Sequence, residues 1–113
     1  MTNPTPGLQE YWQQDYASAY PQLLAAAESG HAEAQCIIGS MYQLGHGIDQ
    51  DAVVAAEWYE KSSAQGYGIA SNNLAGLLLL QGERDRAREL YALSREQGFM
   101  HGPSLESPQS AIA

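Results

Sequence analysis

The residues that could carry nucleophilic chemistry lie near the middle of the chain. Cys36 is the single cysteine, and His31 and His46 lie on either side of it. A thiol with a neighbouring imidazole base is the arrangement of a small cysteine hydrolase. If the segment is helical, however, His31 stands at the helix start and off the face that holds Cys36. We therefore expect Cys36 to be a buried or groove-lining thiol, and a hydrolase using Cys36 or His31 is the remote alternative.

Two short patterns resemble parts of known chemical sites. His31-Ala32-Glu33 matches the first part of the zinc deaminase signature, but the paired cysteines that complete the metal site are missing from the sequence. Gly45-His46-Gly47 is rich in glycine, but it lacks the lysine and the following hydroxyl residue of a phosphate-binding loop. The sequence therefore predicts no catalytic centre, no metal site and no cofactor.

The glycine-rich segment instead separates two stretches with helical periodicity. In each stretch, apolar residues recur at steps of three and four, which places them on one helix face. The first stretch has Ala34, Ile38, Met41 and Tyr42, and the second has Ala52, Ala55, Ala56 and Tyr59. The segment is therefore predicted to form a helix, a turn and a second helix.

This helical unit is repeated along the chain. A shift of 36 residues aligns Gly30 with Gly66, and a shift of 32 aligns Tyr59 with Tyr91 and Gly66 with Gly98. Self-similarity at such a period is typical of stacked repeats. The sequence predicts an all-α protein, a short α/α solenoid of about two and a half repeats. Its five helices are expected at roughly 15–29, 31–44, 50–65, 68–81 and 84–97.

The central unit resembles a Sel-one-like repeat, a subclass of the tetratricopeptide-like α-solenoids. The matching positions are Ala34, Gln35, Gly39, Tyr42, Gly45, Gly47, Asp51, Ala55, Trp58, Tyr59 and Gly66. The resemblance implies a solenoid over residues 15–99, preceded by a flexible arm and N-terminal cap (1–14) and followed by a disordered tail (100–113). It also implies that the first helix of each pair lines a concave groove, which holds a segment of another protein. The resulting expectation is a non-catalytic adaptor or regulatory subunit in a bacterial pathway.

Helical phase predicts which residues face this groove. On the first helix they are Glu33, Cys36, Ser40 and Gln43, and 36 residues later they are Ile69, Asn72, Gly76 and Leu79, with Asn73 beside them. The asparagine amides could bind a peptide backbone, and Ile69 and Leu79 would supply apolar contacts. Glu33 would pair with a Lys or Arg of the partner.

The distribution of charge suggests the kind of partner. The net charge is −8, and residues 1–60 hold eight carboxylates without a single Lys or Arg. An acidic surface favours a basic protein partner and repels nucleic acid. This feature supports an alternative function, an immunity protein that neutralises a bacterial toxin or a secreted effector.

The remaining expectations concern location and assembly. The sequence has no apolar run long enough to span a membrane and no signal peptide pattern, and one cysteine fits a reducing cytoplasm. The periplasm is the alternative if a signal peptide has been removed. Tyr11 and Trp12 are expected to cover the apolar end of the solenoid or to contact a partner. Together with Leu90 and Phe99 they could also support end-to-end self-association.

Overall fold

The computed structural model describes residues 4–99, and this part of the chain is helical, with no strand. The helices are α1 (Leu8–Trp12), α2 (Tyr16–Glu28), α3 (Ala32–Leu44), α4 (Ala52–Ala64), α5 (Gly68–Leu80) and α6 (Arg84–Glu96). The five helices expected from the sequence are confirmed as α2 to α6, and α1 is an additional helix. None of the described helices is long and apolar enough to cross a membrane. The predicted tail, 100–113, lies outside the described residues.

The helices pack in chain order, each against the next, and α3 also contacts α5. Short turns separate them, so that α1 with α2, α3 with α4, and α5 with α6 form successive pairs. The local sequence fixes the boundaries of the second pair. Asp51 caps α4, because its carboxylate accepts hydrogen bonds of 3.1 Å from the backbone N–H groups of Val53 and Val54. This stacking of helix pairs is the short helical repeat solenoid that the repeats predicted.

The core consists of two clusters of buried side chains. The N-terminal cluster contains Ala19, Leu23, Ala27, Ala34, Ile38 and Met41. The C-terminal cluster contains Cys36, Ala55, Tyr59, Ala70, Leu74, Ala75, Leu77, Leu78, Ala87 and Tyr91. Tyr42 packs against both clusters, and α3 contributes buried residues to both. Helix α3 is therefore the element that joins the two ends of the solenoid.

Gly39 shows how closely α3 and α4 approach. A Cβ atom at this position would lie 2.7 Å from a ring carbon of Tyr59, which is shorter than a normal contact. Glycine therefore leaves the space that the tyrosine ring fills, and Tyr59 is 1% exposed. The close packing of this helix pair depends on that complementarity.

The same polar contact recurs within each of the two complete pairs, α3 with α4 and α5 with α6. The hydroxyl of Ser62 on α4 donates a hydrogen bond of 2.7 Å to the backbone carbonyl of Ala32 at the start of α3. The hydroxyl of Ser94 on α6 donates one of the same length to the carbonyl of Gly68 at the start of α5. A buried hydroxyl is therefore satisfied in the same way in both pairs.

The additional helix α1 lies in the region expected to be a flexible arm and cap. Gly7 precedes it with φ +87°, a left-handed conformation that favours glycine. The hydroxyl of Tyr11 lies 3.0 Å from Nδ1 of His46, and the His46 ring stacks on Tyr16 with ring centroids 5.0 Å apart. These contacts hold α1 against α2 and the α3–α4 loop, where it forms the first helix of an N-terminal pair.

Candidate functional site

A cavity of about 270 Å³ opens between α1, α3 and α5, the first helices of the three pairs. It is lined by Leu8, Tyr11, Trp12, Glu33, Cys36, Ile37, Ser40, Tyr67, Ile69 and Asn73. Most of these side chains are apolar or aromatic, and Glu33 is the one with a formal charge. The lining therefore combines apolar surface with a single carboxylate.

Helix α1 supplies the aromatic wall of the cavity. The rings of Tyr11 and Trp12 meet edge to face, with centroids 5.7 Å apart. The hydrogen bond to His46 fixes Tyr11, whereas Trp12 is 72% exposed. An aromatic side chain with so much free surface beside a cavity is able to contact a bound molecule without displacing anything in the core.

Glu33 lies at one edge of the cavity, where the Thr5 hydroxyl donates a hydrogen bond to its carboxylate. Burial and the nearby negative charge of Glu33 raise the pKa of Tyr67 to about 12, so the Tyr67 hydroxyl keeps its proton at neutral pH. The carboxylate is thus oriented by a neutral donor and lies near a second neutral hydroxyl.

The Cys36 thiol is buried between α3 and α5. It is 4% exposed, and Nδ2 of Asn73 lies 3.5 Å from its Sγ. Burial raises the pKa of Cys36 to about 12, so the weakly nucleophilic thiol form predominates at neutral pH. His31 accepts the N–H of Ala34 as the cap of α3, and His46 binds Tyr11. Between residues 4 and 99, no three His, Cys, Asp or Glu side chains are grouped to hold a metal ion.

Comparison with known proteins gives the family. The model of the Sel1 repeat matches residues 32–67 and 68–99, which are α3 with α4 and α5 with α6. This chain belongs to the Sel1 repeat family. Sel1 repeats are generally protein–protein interaction modules and are typically non-catalytic. A search of curated proteins found no match to the chain.

The first helices of both Sel1 repeats contribute predicted site residues to the cavity. Those that line it are Glu33, Cys36, Ser40, Ile69 and Asn73. Ser40 is also bonded within the first Sel1 repeat, because its hydroxyl lies 3.0 Å from that of Tyr59. The structure therefore brings together residues that helical phase placed on one face of α3 and α5.

The other predicted residues lie elsewhere. Gln43 accepts a hydrogen bond of 2.6 Å from the Tyr59 hydroxyl and lines a separate depression with Leu44 and Leu80. Leu79 packs against the C-terminal core cluster, and a Cβ on Gly76 would face the hydroxyl of Tyr91. Asn72 is half-buried and is not among the cavity residues.

The physical reason for this difference is that α5 packs against α4 and α6 as well as against α3. Part of the helix face that was predicted to line the groove is consequently in the core. Cys36 lies on that face and is buried. Contacts between neighbouring repeats decide which positions of the face remain accessible.

Several cavity residues were not predicted from helical phase. They are Leu8, Tyr11, Trp12, Ile37 and Tyr67. The expectation that Tyr11 and Trp12 either cover the end of the solenoid or contact a partner was the available signal. End-to-end self-association through these aromatic residues, Leu90 and Phe99 stays a prediction.

Proposed function

We propose that this Sel1 repeat protein is an adaptor or regulatory subunit that holds a segment of a partner protein in the cavity between α1, α3 and α5. The observation that carries the proposal is the apolar lining of this cavity on the first helices of successive pairs. A groove built on packed helices is formed before binding, so that little conformational entropy is lost in ordering it. The exposed apolar surface of Trp12 and Ile69 then becomes buried against the partner.

The test is partner capture from native lysate with two matched variants. Ile69 is the second residue of α5, lines the cavity and is 40% exposed. Val53 is the second residue of α4, lies outside the cavity and is 68% exposed. An aspartate suits the first turn of either helix, so Ile69→Asp and Val53→Asp should both fold.

With a C-terminal tag on the protein, we expect Ile69→Asp to reduce the captured partner by about tenfold or more, because the substitution removes an apolar contact and the new carboxylate must lose water against the apolar part of the partner segment. Val53→Asp should capture as much partner as the unchanged protein. Equal capture by all three proteins would refute the cavity as the binding site.

The charge distribution favours a second candidate, an immunity or inhibitor protein. Residues 1–60 hold eight carboxylates and no Lys or Arg, and Asp15, Asp49 and Glu57 among them are exposed. A field of one sign accelerates encounter with a basic partner and weakens as salt screens it. A single basic partner bound near 1:1 with a Kd of about 1 nM would support the inhibitor. Several partners bound at about 1 μM would support the adaptor.

A further inference from the structure

The cavity contains an acidic group without a basic counterpart. Glu33 is its charged residue, and none of the other lining residues is Lys, Arg or His. The ion pairs seen between residues 4 and 99 join other residues, Arg86 with Glu60 and Arg88 with Asp85. The Thr5 hydroxyl orients the Glu33 carboxylate without neutralising it. The cavity is therefore complementary to a positive charge.

The aromatic residues of the cavity favour the same kind of ligand. Tyr11, Trp12 and Tyr67 line it together, and the faces of aromatic rings attract cations, tryptophan most strongly. The chain already contains one such contact, because Nζ of Lys61 lies 4.6 Å from the ring centroid of Trp58. For the highly exposed Trp12, the described residues provide no comparable cation.

The size of the cavity limits what can enter it. Sites for drug-sized molecules have volumes of about 300–1,000 Å³, and this cavity, at about 270 Å³, is smaller. A single long side chain of a partner therefore fits this volume better than a drug-sized molecule does. Lysine and arginine combine an apolar stem with a charged end, and the cavity offers apolar walls at Leu8, Ile37 and Ile69.

We propose that the cavity binds a lysine or arginine side chain of the partner segment, with the alkyl stem along Leu8, Ile37 and Ile69 and the charge among Trp12, Tyr67 and Glu33. This inference rests on the proposed function, because the cationic side chain is supplied by the protein segment held in the cavity. The carboxylate provides charge neutralisation, and the aromatic rings provide cation–π attraction in a partly enclosed space.

The test compares ligands that differ only in charge. Nα-acetyl-lysine amide and Nα-acetyl-norleucine amide have similar stems, but only the first carries an ammonium group. The chain has two tryptophans, and only Trp12 lines the cavity. In a ¹⁵N-labelled sample, the indole N–H signal of Trp12 reports binding there, and that of Trp58 serves as an internal reference.

We expect the lysine amide to shift the Trp12 signal with saturation and to bind at least about fivefold more tightly than the norleucine amide. Nα-acetyl-arginine amide and its neutral isostere Nα-acetyl-citrulline amide should behave as a second such pair. Glu33→Gln keeps the size of the side chain and a hydrogen-bond acceptor, and it should abolish most of the preference. The control Glu57→Gln, at an exposed position on α4, changes the net charge equally and should retain it.

The outcomes separate this inference from the proposed function. Equal binding of the charged and neutral amides at Trp12 would overturn the inference, although the cavity could still hold an apolar segment. Absence of a saturable Trp12 shift, or equal shifts of Trp58, would overturn it as well. A charge preference at Trp12 with partner capture unaffected by Ile69→Asp would uphold the cation site and refute the proposed function.

Discussion

Cys36 is a residue whose chemistry is governed by its surroundings. Burial raises its pKa from the ordinary 9.0 to about 12 in the folded protein, while the hydrogen bond from Asn73 acts in the opposite direction. At a pH between these two pKa values, the Cys36 thiol is mostly deprotonated in the unfolded chain and mostly protonated in the folded chain. The stabilising effect of the buried thiol is therefore complete below pH 9 and is lost as the pH rises toward 12.

This loss predicts a specific pH dependence. Between about pH 9.5 and 11, the free energy of unfolding of the unchanged protein should fall with rising pH more steeply than that of Cys36→Ala. The difference between the two slopes should be about 1.4 kcal/mol per pH unit. Tyr20, whose pKa is also raised to about 12 without a contribution from Cys36, contributes equally to both proteins. Urea unfolding of the two proteins at several pH values measures the difference. Parallel pH profiles would show that the thiol is not buried in this way.

Gly39 and Gly76 are helical glycines with opposite expected responses to alanine. At Gly39 the new Cβ would meet the Tyr59 ring at 2.7 Å, whereas at Gly76 the nearest atom is the Tyr91 hydroxyl oxygen at 3.7 Å. Gly39→Ala should cost about 1–3 kcal/mol through overpacking. Gly76→Ala should gain up to about 1 kcal/mol from helix propensity. Urea midpoints that move in the same direction for both variants would contradict this packing.

At the scale of an element, the packing of α1 against α2 depends on the left-handed backbone conformation of Gly7. Gly7 has φ +87°, and a Cβ there would lie 2.8 Å from the carbonyl oxygen of Ala19 on α2. Gly30 has φ +98°, but a Cβ there would meet nothing within 4 Å. The two positions therefore separate backbone strain from a steric clash with a neighbouring helix.

Gly7→Ala should release α1 from α2 and open the aromatic wall of the cavity. Backbone amides in residues 8–12 are then expected to exchange with solvent much faster, while those of α3 and α4 remain protected. Gly30→Ala should add only the strain of a left-handed alanine, about 1–2 kcal/mol, and leave α1 in place. If the exchange rates of residues 8–12 were the same in both variants, docking through Gly7 would be wrong.

The elements differ in how well the sequence could predict them. Helices α2 to α6 were predictable because each has a counterpart 32 or 36 residues away. Helix α1 has only five residues and follows Pro4, Pro6 and Gly7, so local pattern could not show it. Its position depends on contacts with His46 and α2, which are distant in sequence.

The same limit explains the partial prediction of the cavity. Helical phase identified Glu33, Ser40 and Ile69 because each lies on the open side of its own helix. It could not show that Leu79 packs against the C-terminal core cluster or that Tyr67, between α4 and α5, lines the cavity. Both facts depend on how neighbouring helices pack.

At the scale of the whole molecule, the two core clusters suggest that a contact at the centre of the solenoid stabilises more of the helices than a contact at one end. Tyr59 and Tyr91 occupy equivalent positions, but Tyr59 lies between two neighbouring helix pairs and Tyr91 lies in the last described pair. In stacked repeats, stability comes from each unit and its nearest interfaces. Loss of a central contact should therefore affect more of the molecule than loss of a terminal one.

Truncation of each tyrosine tests this expectation. Tyr59→Ala should cost about 3–5 kcal/mol and lower the stability of all helices together. Tyr91→Ala should unfold α5 and α6 at lower urea concentration than the rest. Trp58 lies outside α5 and α6 and packs against the N-terminal core cluster, so in a Trp12→Phe background circular dichroism should change before tryptophan fluorescence in Tyr91→Ala. Coincidence of the two signals in Tyr91→Ala would mean that the molecule unfolds as one unit.

The hydrogen bond from Thr5 to Glu33 places the beginning of the described chain at the edge of the cavity. Any sequence joined ahead of it is tethered within a few residues of the cavity. A short tether gives such a sequence an effective local concentration in the millimolar range. If the cavity binds a lysine side chain as proposed, a lysine-rich tag at this end would compete with a partner as an intramolecular ligand. The same geometry could be used deliberately, because fusion at this end would raise the occupancy of the cavity by a weakly binding peptide enough for its contacts to be detected.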